Sequence, residues 1–288
     1  MRKIIILTTL LALFSFISSC KKQTPETKMV VTSVYGDVYI NETKDNVKAG
    51  SLVRQSDVVR TENGRVALQN RNGTTILIKE FSKIRVAKLT NEATNVETIN
   101  SSMLLRVNKT SKTEEFNVNT PTAVAGVRGT TFFVYSTKEG TIINSVEGQV
   151  AVRNVATNNE NVLEKKSIEI TQGGENVKNY MPSATEITDI VTLINVSPEN
   201  IDRASSGDLN NFNDEVQEKT KKAEKDAIDI IKNSSFSAEV IKSTLVLKNG
   251  SRVRGNVVYQ TSDKLFIIDE TKTAREIEKS TVSSIEFF

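Results

Sequence analysis

"NTPTAVAGVRGTTFFVY", residues 119–135, is the stretch on which the fold turns. Small and β-branched apolar runs flank Gly126-Val127-Arg128-Gly129, so it reads as strand, tight turn, strand. A phosphate-binding reading fails on context. A Walker loop needs a lysine after its last glycine, and a dinucleotide loop needs G-x-G-x-x-G opening a helix. Here "TTFFVY" follows, a strand that offers no helix N-terminus to an anion. Pro121 lacks an amide donor and belongs at a strand start or edge. Gly126 and Gly129 permit a bend or a close backbone approach. Period-two alternation puts Thr130, Phe132 and Val134 on one face and Thr131, Phe133 and Tyr135 on the other. Arg128 reads as a structural arginine, paired with a carboxylate or bonding strand-end carbonyls, with an anion or partner contact as its functional alternative.

Working outward, residues from Met29 to about Thr171 form short β-type runs such as "MVVTSVYGDVYI", "RVALQN", "TTILIK" and "KIRVAKL". Asn63-Gly64 and Asn72-Gly73 predict two hairpin turns, because both residue types tolerate positive φ. "TNEATNVETINSS", residues 90–102, is polar and reads as a longer loop. Regular short strands without a helical period predict an all-β sandwich, barrel or short solenoid.

The composition shifts near Gly173-Gly174. Ser183 with Glu186 forms a capping box, and Ile187, Ile190, Val191 and Ile194 line one helical face. Ser197-Pro198-Glu199 starts a second helix. A third should cover about residues 209–232, with Phe212, Val216, Ala223, Ala227 and Ile231 as its apolar stripe. That stripe is too thin for a coiled coil and predicts a surface helix packed on the β-domain. Past the linker "NSSFSAE", five short strands with a bend at Gly255 predict a closed SH3-like or Sm-like barrel, serving as an interaction or capping module.

The 288 residues include no histidine and one cysteine, Cys20. That excludes Ser-His-Asp and Cys-His nucleophile systems, His-ligated zinc and thiolate clusters. No catalytic residue, metal ligand or cofactor site emerges, and no small-molecule substrate is inferred. Asp37, Asp57, Glu62 and Glu80 lie beside turns with nothing to set two of them across a cleft. "KTKKAEKD", residues 219–226, reads as a solvated helix face. A net charge of +3, spread along the chain, gives no reason to expect nucleic acid.

At the N-terminus Arg2 and Lys3 precede the apolar run "IIILTTLLALFSFI", 14 residues, which is short for a membrane span and reads as a cleaved export signal. Ile17, Ser18, Ser19 and Cys20 resemble a bacterial lipobox, relaxed as in spirochaete lipoproteins. The resemblance implies cleavage before Cys20 and lipidation of its thiol. Acyl chains at about 0.8 kcal/mol per buried CH₂ would then hold the chain on a membrane.

"TPTAVAGVRGTTFFV" resembles the threonine-proline and arginine-glycine-threonine segment that closes FecR-type domains. "GDVYI", "KAGSLVRQSDVVRTENGRVALQNRNGTTILI", "SMLLRV", "EEFNVNTP" and "VEGQVAVRN" resemble successive parts of the same pattern, over about residues 30–153. The resemblance makes Thr120, Pro121, Gly126, Arg128, Gly129 and Thr130 family-motif positions. It implies an extracytoplasmic β-domain used for interaction. FecR itself couples an outer-membrane iron-citrate receptor to a sigma factor through one membrane span, whereas this chain predicts neither a spanning helix nor a cytoplasmic segment before one. "LVLKNGSRVRGNVVYQTSDKLFII" is similar to a small β-barrel repeat of spirochaete envelope proteins.

The expected organisation is therefore a signal peptide at 1–19, a lipidated tether at 20–28 and a FecR-like all-β domain at 29–178. A helical connector at 179–236 and a small β-barrel at 237–288 complete it. The expected function is a lipid-anchored, non-catalytic scaffold or protein-interaction module of the cell envelope, facing the periplasm, with an envelope protein as partner. A sensor or regulator in a FecR-type pathway and an envelope-glycan binder are the alternatives. The absence of tryptophan and the presence of only five tyrosines weigh against glycan stacking.

Overall fold

The computed structural model describes residues 27–43, 47–108, 115–233, 243–261 and 263–287. Cys20 and the export signal lie outside the described residues. The chain is mainly β. Its first strands are β1 (Met29–Tyr35), β2 (Val38–Ile40), β3 (Leu52–Val53), β4 (Val58–Thr61), β5 (Arg65–Asn70), β6 (Thr75–Ile78), β7 (Lys83–Leu89) and β8 (Ala93–Arg106). They continue as β9 (Glu115–Asn119), β10 (Ala123–Val127), β11 (Thr131–Ser136), β12 (Gly140–Glu147), β13 (Val150–Asn154), β14 (Glu160–Leu163), β15 (Lys166–Thr171) and β16 (Gly174–Asn179).

These strands pair in two layers that share β8. The first runs β3-β1-β5-β6-β8-β11-β12-β15-β16 and the second β2-β4-β7-β8-β9-β10-β13-β14. All pairs are antiparallel except β8 with β9. One apolar core fills the space between the layers, with Leu68, Met103 and Phe132 from one side and Ile84, Phe116 and Val152 from the other. Alternation produces this. Along β7, Ile84, Val86 and Leu89 are buried while Lys83, Arg85 and Lys88 are exposed, and a bulge between Val86 and Lys88 resets the phase.

Two expectations are corrected here. The predicted loop at 90–102 lies almost wholly in β8, whose inward positions Thr94, Thr98 and Ser101 are polar and so hid the alternation. Asn63-Gly64 is not a hairpin turn, because β4 and β5 pair with different strands in different layers. Gly64 instead lets two chain corners cross. A Cβ there would stand 2.4 Å from Asp37 N, and one on Gly36 would stand 2.2 Å from Asn63 O. Asn72-Gly73 does close the β5–β6 hairpin, with Gly73 at φ +80°.

Three helices follow: α1 (Ala184–Thr192), α2 (Pro198–Ser205) and α3 (Asn210–Asn233). They cover the outer face of the first layer. Val30 of β1 packs with Ile201 and Phe212, while Leu104 and Phe133 pack with Leu193. Phe212, Ala223, Ala227 and Ile231 of the predicted α3 stripe are all buried. None of the described helices is long and apolar enough to cross a membrane.

The last strands, β17 (Ser243–Leu247), β18 (Arg252–Gln260), β19 (Lys264–Asp269), β20 (Ala274–Glu278) and β21 (Val282–Phe287), form a separate sheet in the order β20-β19-β18-β17-β21. The sheet is open, since its end strands β20 and β21 share no ladder, which corrects the expected barrel. Both faces of β18 and β19 are apolar. Val258, Phe266 and Ile268 pack on α1 and α3, and Leu265 and Ile267 pack within the sheet. A helical cover on one face removes the need for closure.

Candidate interaction site

The motif segment links the two layers. Thr120, Pro121 and Thr122 turn the chain from β9 into β10. The Thr120 hydroxyl accepts from the Ala123 amide at 2.9 Å, and the Thr120 and Thr122 hydroxyls meet Thr141 Oγ1 at 2.7 and 2.8 Å. Two threonines around a proline thus pin the turn to β12, and Pro121 itself is exposed. Gly126 lies flat within β10, paired to Asn117 and Ala151. A Cβ there would stand 3.2 Å from Asn117 Oδ1, so Gly126 is a place of close cross-strand approach and not a bend.

The bend falls at Gly129, at φ +65°, where the chain leaves β10 in one layer and enters β11 in the other. Thr130 Oγ1 donates to Gln149 O at 2.9 Å and fixes that crossing. As the alternation predicts, Phe132 and Val134 enter the central core, while Phe133 and Tyr135 face the helices. Arg128 is exposed, and among the described residues its guanidinium has no ion-pair partner. The carboxylate expected for a structural arginine is not found there.

Pro121 forms one end of an open groove of about 730 Å³ on the outer face of the second layer. Val58 and Ile99 give it an apolar floor, with Ile99 59% exposed. Lys83 and the Arg85–Glu97 ion pair charge its rim. Helices cover the first layer, whereas among the described residues no helix covers this face of the second, where Pro121 of the motif lies exposed. It offers apolar contact framed by charge, the composition of a protein-docking face. Among the described residues no group of three or more His, Cys, Asp or Glu side chains could hold a metal ion.

A buried polar network that the sequence did not reveal fixes the opposite face. Glu186 completes the predicted capping box, taking the Ser183 amide on Oε2 at 2.9 Å. Its Oε1 accepts from Tyr135 at 2.7 Å and from Asn144 at 3.3 Å, so one carboxylate both caps α1 and docks it. Burial, then the Glu186 charge, pushes the Tyr135 phenol well above its ordinary range, as it does that of Tyr180. Asp189 takes Lys79 at 2.6 Å and lies 3.7 Å from Arg65. Arg106 of β8 donates to Ile190 O at 2.6 Å and Leu193 O at 2.7 Å, closing the C-terminal end of α1. Burial lowers its guanidinium pKa. The capping box was legible; the second partners of Glu186 were not, because Tyr135 and Asn144 lie 51 and 42 residues away.

The FecR protein family matches residues 57–151, from the start of β4 into β13, and the chain carries a FecR domain there. Two crystal structures of a candidate anti-sigma factor from Parabacteroides distasonis ATCC 8503 resemble the chain. One, at 1.65 Å resolution, is 17% identical with a TM-score of 0.40, covering 46% of this chain and 63% of that one. The other, at 2.50 Å, is 18% identical with a TM-score of 0.39, covering 46% and 62%. The chain thus spans less than two thirds of those solved chains. No curated protein matches it.

Proposed function

We propose that this chain, built around its FecR domain, is a non-catalytic regulator that acts by protein contact in a FecR-type signalling pathway outside the cytoplasm. The match of residues 57–151 to the FecR protein family carries the reading, and it favours a regulatory role over a passive scaffold. The outer face of the second layer, which no helix covers among the described residues and which has Ile99 and Pro121 at its surface, supplies the docking surface such a role needs. The partner is an envelope protein, and the chain faces the periplasm from a lipid anchor on Cys20.

A photo-crosslinking residue at Ile99 tests the contact in cells. The expected result is one discrete envelope-protein adduct, together with altered expression of one sigma-factor regulon on deletion of the gene. No discrete adduct and an unchanged transcript profile would overturn the proposal. The anchor is tested separately. Cys20→Ser should abolish incorporation of a palmitate analogue and release the protein from membranes; retained labelling would refute lipidation.

A further inference from the structure

Where the outer face of β1 and β5, the end of α1, the middle of α3 and β18 converge, they enclose a half-open cavity of about 240 Å³. Leu77, Leu193 and Ile194 give it an apolar wall. Neutral polar residues such as Ser33, Thr192, Thr220 and Gln260 also line it, and Arg65, Glu224 and Tyr259 add two charges and a phenol.

Tyr259 is 7% exposed, yet among the described residues its phenol has no hydrogen-bond partner. Buried tyrosines ordinarily find one within the protein, so this phenol keeps its donor for whatever fills the cavity. It is also absent from the sealed, unpartnered atoms of the core, so its oxygen is reached from the cavity. The Glu224 carboxylate makes no ion pair among the described residues. Arg65 has only a long contact, 3.7 Å to Asp189, whose other oxygen Lys79 holds at 2.6 Å. Arg65 therefore keeps unused N–H donors. Arg65, Glu224 and Tyr259 line the one cavity, and burial first, then the Glu224 charge, raises the Tyr259 phenol to about 12 against the opposing pull of Arg65.

We infer that this cavity binds a small zwitterion with an apolar body, the class of a free apolar α-amino acid. Arg65 and the Tyr259 hydroxyl donate to its carboxylate, Glu224 accepts from its ammonium, and Leu77, Leu193 and Ile194 take its side chain. The volume lies below the roughly 300–1,000 Å³ of sites for drug-sized ligands and leaves no room for a nucleotide or oligosaccharide. The inference is independent of the partner proposed above, because the cavity lies on the helix-covered side of the molecule.

Calorimetry and thermal melts of the full chain in detergent, with L-leucine and L-phenylalanine, test it. Three analogues accompany them: 4-methylvalerate without the ammonium, isoamylamine without the carboxylate, and glycine without the body. At least one of the two amino acids should bind and raise the melting temperature, with each analogue weaker by about tenfold or more. Tyr259→Phe should weaken binding by about tenfold. Glu224→Gln should abolish the preference of leucine over 4-methylvalerate without lowering the unliganded melting temperature. No binding of either amino acid at about 10 mM by the folded chain, or binding that both variants leave unchanged, overturns the assignment.

Discussion

Gly148 and Gly129 face each other where the chain passes from β10 to β11, and both lie in the left-handed region, at φ +79° and +65°. A Cβ on Gly148 would stand 2.7 Å from Gly129 O, a backbone atom with no freedom to retreat. Gly148→Ala should therefore cost about 2 kcal/mol or more, from strained φ plus the clash, read as a lower urea midpoint. Arg128, one residue before Gly129, behaves differently. Exposed and without an ion pair among the described residues, it should tolerate Arg128→Ala within about 0.5 kcal/mol in the same assay. A large loss would restore the structural role that its sequence context predicts. The bend itself was legible, since glycine takes a positive φ most readily, and it falls at Gly129. Gly126 was legible as a site of bend or close approach, but not which of the two. The close neighbour is Asn117, across a strand pairing that no local pattern announces.

At the scale of elements, α1 is held by charge at three points, through Glu186, Asp189 and the Arg106 contacts to its last carbonyls. Arg106→Leu should cost about 2–4 kcal/mol, because it strands two carbonyls that a half-buried guanidinium now satisfies. Hydrogen exchange should show α1 opening before the strands do. The join of α2 to α3 carries a pH dependence. Burial works to raise the Glu215 carboxyl, but hydrogen bonds from Lys219, Ser197 and Asn200 outweigh it and hold the pKa at about 2. A depressed carboxylate stabilises the fold above its unfolded pKa, about 4.3, and loses that contribution as pH falls towards 2. Glu215→Gln should therefore flatten the stability–pH curve between about 4.5 and 2 relative to the parent protein. A curve of unchanged slope would remove Glu215 from this role. The α3 stripe was readable at 3.6-residue spacing, and β7 at spacing of two. The first half of β8 was not, because Thr94 and Thr98 flank Val96 at its inward positions and carry no hydrophobic signal.

For the whole molecule, the helices form a layer between two sheets, and α3 serves both. Its first half packs Phe212 and Ala223 with Val30 of β1; its second half packs Ala227 and Ile231 with Val258 and Phe266 of the C-terminal sheet. Thr188 of α1 adds a hydrogen bond to Val258 O at 2.8 Å. The core between the two β layers draws on none of these residues. Composition alone separated the C-terminal strands from the rest, yet the run "KLFIID" is apolar on both faces because helices cover one of them, and a closed barrel was the wrong inference from it. Removing residues 243–288 should therefore act unevenly. Ala227, Ile231 and the partly buried Ile187 and Val191 would lose their cover, so α1 and the second half of α3 should fray, with lost helical ellipticity and rapid amide exchange. The β1–β16 sandwich should keep its own cooperative melt and its slow-exchanging strand amides, since its core stays closed. Simultaneous loss of strand protection would show that the sheets and helices unfold as one unit, and that the C-terminal sheet supports the FecR domain itself.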